Sequence, residues 1–285
     1  MRGEAFAART PALASAVASL DALEREARRT TVDGLVWWVP ALPTQSAASI
    51  ERMLAKQTFP YRAISQTRDL AVGGIMLDIG ANIGATAIPR AILGDARAVF
   101  CAEPDELNYR CLVANVVQNG LGGLVLPDRV AIGSRTGEVV IERGKMPGGH
   151  RILHAAPDTT DAGRRVPCMT LDDWIAHHAI DGRDVTLIKM DTQGSEVHVL
   201  TGAATLLALP VIAWQIEVAP RLLRLAGSDP VTLYRLMKAH FTHFIDLNVN
   251  AAGPRLRSIA DLDAALEYLE RGEAPQTDVV VYRTS

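Results

Sequence analysis

The 285-residue chain lacks the features that would mark several large functional classes. Its three cysteines, Cys101, Cys111 and Cys168, are odd in number and have no CxxC spacing, so neither a disulfide framework nor a zinc site is indicated. They read as buried, reduced thiols. There is no excess of basic charge, with 29 Lys and Arg against 32 Asp and Glu and a formal net charge of -3. A duplex nucleic acid surface needs a positive footprint, so a small molecule or carbohydrate is the expected partner instead. No apolar run reaches the length of a membrane span. Residues 11–20 are mildly apolar and small-residue-rich, but they lead into charged residues 21–29 without a cleavage pattern, and a soluble cytoplasmic protein is expected. Internal repeats and low-complexity tracts are also missing. The chain does have 48% hydrophobic residues, ample for the core of one large α/β domain or of a domain with an appendage.

The most informative stretch is residues 75–85, IMLDIGANIGA, a short apolar run that ends in an acid and a glycine-punctuated turn before a helix. Gly80 and Gly84 are expected to permit a tight turn and close backbone approach to a ligand. Asn82 stands between them, and Asn is the non-glycine residue that best tolerates a left-handed backbone. Asp78, two residues before the first glycine, would repel a pyrophosphate and suits a cationic ligand. This points to S-adenosylmethionine, with its sulfonium and ammonium, over a dinucleotide.

Residues 12–29 have apolar positions at helical spacing and predict an amphipathic helix that packs on the core or on a second subunit, offering a homodimer contact. A strand is expected over 32–39 and a helix over 46–56, so residues 1–70 form an N-terminal extension ahead of a domain spanning 71–285. Trp37 and Trp38 are read as core. From residue 75 strands and helices alternate, the pattern of a doubly wound sheet with its ligands at the carboxyl ends of the strands. Strands are expected at 98–102, 124–132, 138–142, 166–169, 185–190, 211–218, 243–247 and 278–282. Helices are expected at 85–93, where Pro89 should kink or confine the helix, and at 108–119, 171–179, 197–207, 230–239 and 259–271. Residues 144–165 are polar, glycine-containing and aperiodic, and form a lid candidate.

Glu103, at a strand end about twenty residues past the glycine turn, is placed to accept hydrogen bonds from both ribose hydroxyls of an adenosine. Asp191 stands at the next such strand end, and Glu217 is an acid near the tip of an apolar strand, costly there unless paired or used.

Asp78-Ile79-Gly80-Ala81-Asn82-Ile83-Gly84, Glu103-Pro104, Asn115 with Asn119-Gly120-Leu121, Ala131-Ile132-Gly133, Leu171-Asp172-Asp173 and residues 188–196, IKMDTQGSE, together resemble the FkbM family of S-adenosylmethionine-dependent methyltransferases. The resemblance covers about residues 75–218, and the DxGANxG and KxDxxGxE forms together are specific. It implies a class I methyltransferase fold: a Rossmann-like, seven-stranded, mostly parallel sheet whose last strand is antiparallel, with helices on both faces. It also implies O-methylation of a hydroxyl on a natural product or sugar. Pro89 and Gln193 depart from the family, where a helix former and an acid are frequent.

On this reading the donor's methionyl end lies against Asp78, Gly80, Ala81, Asn82 and Gly84. Its ribose lies on Glu103 beside Pro104, and its base lies near Ala131. Methyl transfer to an alcohol requires in-line alignment and a base within hydrogen-bond reach of the hydroxyl. Asp191 is the first candidate base, with a rival role of holding the methionine ammonium; Glu217 is the second, and His150 in the lid has a suitable intrinsic pKa. Glu196 and His154 are candidates for substrate contact. Asp191, Glu196 and Glu217 also offer oxygen ligands for a divalent cation, but the resemblance calls for no metal. An NAD-dependent oxidoreductase, or transfer to a carboxyl or amine, are the alternative readings.

Overall fold

The computed structural model describes residues 23–41, 54, 67, 69, 72–142, 151–153, 164–248 and 256–283. Most of the helix expected over 12–29 lies outside them, as does the helix over 46–56 apart from the buried, helical Leu54. Residues 27–29 are strand instead of helix. β1 (Ala27–Val32) and β2 (Leu35–Pro40) form an antiparallel hairpin whose tightest pair is Val32 with Leu35. Asp33 and Gly34 between them take φ of 52° and 77°, the pair of left-handed residues that a two-residue hairpin turn requires. An Asp-Gly pair between apolar runs is the signal for this turn, and a single strand over 32–39 overlooks it.

The alternating part begins with β3 (Ile75–Ile79), α1 (Ala87–Leu93), β4 (Ala98–Ala102), α2 (Glu106–Gln118) and β5 (Val125–Asp128). Pro89 neither kinks nor breaks α1, because it is the third helical residue, where an amide has no partner within the helix. The strand expected over 124–132 is two strands. Pro127 cannot donate to a ladder, so β5 is a short edge strand, and the chain leaves the sheet to form β6 (Ala131–Ile132) elsewhere.

β6 belongs to a second, four-stranded sheet with β7 (Gly137–Glu142), β8 (Arg151–Leu153) and β9 (Arg164–Met169), in the order β6-β9-β7-β8. Its small core contains Ala131, Val139, Ile141, Ile152, Val166 and Cys168. The lid candidate over 144–165 therefore has strands at 151–153 and from 164 onward; its other residues lie outside the described ones.

The chain continues through α3 (Leu171–His177), capped by the Thr170 hydroxyl accepting from the Asp173 amide, to β10 (Val185–Met190). Next come α4 (Glu196–Thr201), α5 (Ala204–Leu207), β11 (Ala213–Val218), α6 (Pro220–Leu225) and α7 (Pro230–His240). The single helix expected over 197–207 is broken at Gly202, where a Cβ would stand 2.1 Å from the Gly133 carbonyl oxygen, and α6 was not anticipated. β12 (His243–Asp246), β13 (Arg257–Ser258), α8 (Leu262–Glu270) and β14 (Thr277–Tyr282) complete the fold.

The central sheet runs β5-β4-β3-β10-β11-β14-β12-β13. β5 to β11 are parallel and β14 is antiparallel to β11, giving the expected class I arrangement. The sheet has eight strands instead of seven, since two-residue β13 adds to the edge of β12. β3 and β11 are buried along their whole length, as sheets covered on both faces require. Against that apolar background, buried Asp78, Lys189, Gln215, Glu217 and Asp278 lie on the four neighbouring central strands β3, β10, β11 and β14 and call for a chemical reason.

Candidate active site and family membership

The carboxyl ends of β3, β4 and β10 are joined to one another by backbone hydrogen bonds. Gly80 and Ala81 donate to the Ala102 carbonyl at 2.9 and 3.1 Å, and Asp191 donates to the Ile79 carbonyl at 3.0 Å. Above this seam lies a cleft with about 720 Å³ of open space. Gly80, Asn82, Glu103, Pro104, Ala131 and Asp191 line it, as read from the sequence, together with Asn108, Val130, Ile132, Thr192 and Gln193. Ile141 and Ile152 of the second sheet add an apolar wall.

Both glycines take the positive φ expected of the turn, and each also packs closely against the protein itself. At Gly80, with φ of 79°, a Cβ would stand 2.0 Å from the Asp191 carbonyl oxygen, and at Gly84, with φ of 87°, it would stand 2.7 Å from the Leu112 side chain. The chain itself fills the space that the missing side chains leave, and the close approach is between two strand ends. Asn82 does take the left-handed backbone, with φ of 52°.

Glu103 is buried and is held by two amides, Asn82 N to Oε2 at 2.8 Å and Asp105 N to Oε1 at 2.9 Å. Burial pushes its carboxyl up to about 7 despite these donors. Asp78 does not line the cleft. It lies beneath the floor, fully buried, and its carboxyl meets the Lys189 ammonium at 3.5 Å. Burial raises its pKa, with Lys189 working in the opposite direction. The Lys189 ammonium also reaches Asp191 at 3.4 Å. Burial opposes its charge, but Asp191, Asp78, Asp278 and Glu217 together keep it protonated. Lys189 is thus the ion around which the cluster is arranged. A lysine inside the otherwise apolar run VTLIKM was the available signal for it.

Asp191 is about one-third exposed at the tip of β10. Gln193, whose φ is 57°, donates its amide to Asp191 Oδ1 at 2.8 Å and to Glu217 Oε2 at 3.3 Å. Glu217 is buried beneath this amide and accepts a second one from Gln276 at 2.6 Å. Burial first, and repulsion by Asp191, Glu196 and Asp278 next, raise it well above the usual carboxylate range. It therefore lies behind the cleft wall. Glu196 also turns away from the cleft: its Oε1 accepts from Thr192 N and Oγ1, both at 2.9 Å, and from Gly194 N at 3.3 Å, so it secures its own loop. Neither Ala81 nor Gly84 lines the cleft. His150 and His154 lie outside the described residues, and among the described residues no group of three or more metal-ligating side chains forms.

Residues 78–247, more than half of the chain, match the model of the methyltransferase FkbM domain. The chain belongs to the FkbM methyltransferase family. No curated protein matches it at a significant level. Solved structures similar to it include an FkbM methyltransferase from Methylobacillus flagellatus, with 18% identity and a TM-score of 0.41, over 73% of this chain and 43% of that one. Others are Pyrococcus horikoshii TYW2 in complex with MeSAdo (14%, 0.40, 91% and 72%) and the Thermus thermophilus 16S rRNA N2 G1207 methyltransferase in complex with AdoMet and guanosine (14%, 0.42, 90% and 50%). The chain thus spans less than half the length of the Methylobacillus protein, and at such scores these likenesses assign no acceptor.

The cofactor of class I methyltransferases is S-adenosylmethionine, and the residues of this FkbM site fit it. Asp191 presents its carboxyl to the cleft beside the Lys189 ammonium that it shares with buried Asp78, and an acid at this end suits the donor's cationic groups. Both Asp78 oxygens lack a hydrogen bond, with only the longer Lys189 ion pair nearby. Glu103 can serve the ribose hydroxyls, and Val130, Ala131, Ile132, Ile141 and Ile152 offer apolar surface to the base. Among the described residues no helix is long and apolar enough to cross a membrane.

Proposed function

We propose that this FkbM-family chain methylates a hydroxyl oxygen of a small natural product or sugar, with Asp191 as the base. The donor supplies an electrophilic methyl group, and the protein's part is to hold its two partners in line and to receive a proton. The observation that carries the reading is the position of Asp191. It is the exposed member of the acid cluster, on the same cleft wall as Gly80 and Asn82, with Gln193 fixing one oxygen and Lys189 near the other. The Lys189 ammonium offsets part of the negative charge around Asp191. Glu217, capped by two amides, supports Gln193 from behind.

The acidic cleft and the net charge of -3 support a small neutral or cationic acceptor over an anionic polymer. The direct test is incubation of purified protein with methyl-labelled donor and hydroxyl-bearing metabolites chosen from the products of neighbouring genes. Label in an ether product, abolished in Asp191→Asn with donor affinity retained, supports the reading. Label on nitrogen or in a methyl ester would replace the hydroxyl acceptor.

A further inference from the structure

Asn115 and Asn119, one turn apart on α2, connect the N-terminal hairpin to the domain in an unusual way. Asn119 accepts from Val36 N at 2.9 Å and donates to Val36 O at 2.8 Å. Asn115 accepts from Trp38 N and donates to Trp38 O at 3.1 Å. The two amides act as a substitute strand along the free edge of β2, matching the two-residue repeat of the strand with the four-residue repeat of the helix. Their remaining donors differ. Asn119 uses its other hydrogen on the Asn115 carbonyl at 2.7 Å, within the helix. Asn115 spends its own on the Ile83 carbonyl at 2.9 Å, inside the glycine turn. The residue before Ile83 is left-handed Asn82, whose amide holds Glu103.

We propose that Asn115 is a positioning residue for the donor site, and that the β1–β2 hairpin is coupled through it to the turn that binds S-adenosylmethionine. The path is continuous: Trp38 backbone, Asn115 amide, Ile83 carbonyl, Asn82 amide, Glu103 carboxyl. Asn115 is fully buried, both of its amide hydrogens are donated and its Oδ1 accepts from Trp38 N, so its orientation is fixed from both sides. Loss of the side chain leaves the Ile83 carbonyl without that donor and frees the turn to move away from Glu103. Asn119 provides an internal control, because it makes the same contact with the hairpin and none with the turn.

The inference rests on the donor reading above, and the experiment separates the two. Donor affinity is measured by calorimetry with S-adenosylmethionine and S-adenosylhomocysteine for wild type, Asn115→Ala and Asn119→Ala, and thermal stability alongside. Both variants lose stability. Asn115→Ala binds both ligands about ten-fold more weakly, while Asn119→Ala stays close to wild type. Equal affinities in the two variants, whether both reduced or both unchanged, would overturn the proposal. Wild type that binds neither ligand would overturn the donor reading itself. Should Asn115→Ala not fold, hydrogen exchange on wild type serves: saturating S-adenosylhomocysteine slows exchange at the Trp38 amide more than at the Val36 amide. Equal slowing of the two, or none, refutes the coupling.

Discussion

Glu103 offers the sharpest test of the donor site, because ribose hydroxyls donate more strongly to its ionised carboxylate than to its protonated form. Its folded pKa of about 7 lies above the ordinary 4.5, so the folded protein holds a proton that the unfolded chain releases. Stability contributed at low pH is therefore lost as pH rises from about 4.5 to 7, by about 3 kcal/mol when complete. Ribose hydroxyls donating to the ionised carboxylate favour that form, so donor binding releases this proton. At about pH 6 the group is mostly protonated, and donor affinity falls below its plateau above pH 7 by up to roughly ten-fold. Calorimetric titration of wild type from pH 5.5 to 8.5, in two buffers of different ionisation enthalpy, counts the proton and traces the curve. Asp278, which burial and Asp191 push up to about 6, titrates in the same range, so Glu103→Gln is the necessary reference. That variant loses hydrogen bonds to an ionised acceptor, about 1.5–3 kcal/mol, or ten-fold to more than a hundred-fold in affinity. It also loses the Glu103 part of the pH dependence in both binding and stability. The same pH curve for wild type and Glu103→Gln would refute the assignment.

Three further outcomes follow from the same geometry. Gly80→Ala places a methyl 2.0 Å from the Asp191 carbonyl oxygen at a φ of 79°, and should lower stability in chemical denaturation by about 3 kcal/mol. Lys189→Met leaves Asp78 and Asp191 without their cation and costs about 3–5 kcal/mol at neutral pH, partly recovered in acid as the carboxyls protonate, which a pH series of melting curves would reveal. EDTA should leave donor binding unchanged, since the donor's hydroxyls and cationic groups can meet Glu103 and Asp191 directly in the cleft; a loss restored by a divalent cation would contradict this.

Much of the site was legible in the residues themselves. Gly80, Asn82, Glu103 and Asp191 follow the ends of apolar runs and line the cleft, and strand ends are where a doubly wound sheet holds ligands. The order of strands and helices followed from periodicity, and the strands at 98–102 and 185–190 have the expected limits. Errors arose where local sequence carries two meanings. The chain leaves the central sheet between Asp128 and Ala131, and Gly202 ends α4 because the Gly133 carbonyl packs against it. An acid in an apolar strand announces a function without giving its direction. Glu217 in β11 is a candidate base but lies beneath Gln193, and Glu196 at the start of α4, a candidate for substrate contact, secures its own loop.

The sequence by itself determined the family, the donor chemistry and the alternation of strands and helices, because these depend on residue types at short, fixed spacings. Only the tertiary structure decided which acids share a cation, which carboxylate reaches the cleft, and why Gly80 must be glycine. Those outcomes depend on contacts between strand ends more than a hundred residues apart, where a carbonyl or an ammonium a few ångströms away changes what a side chain can do.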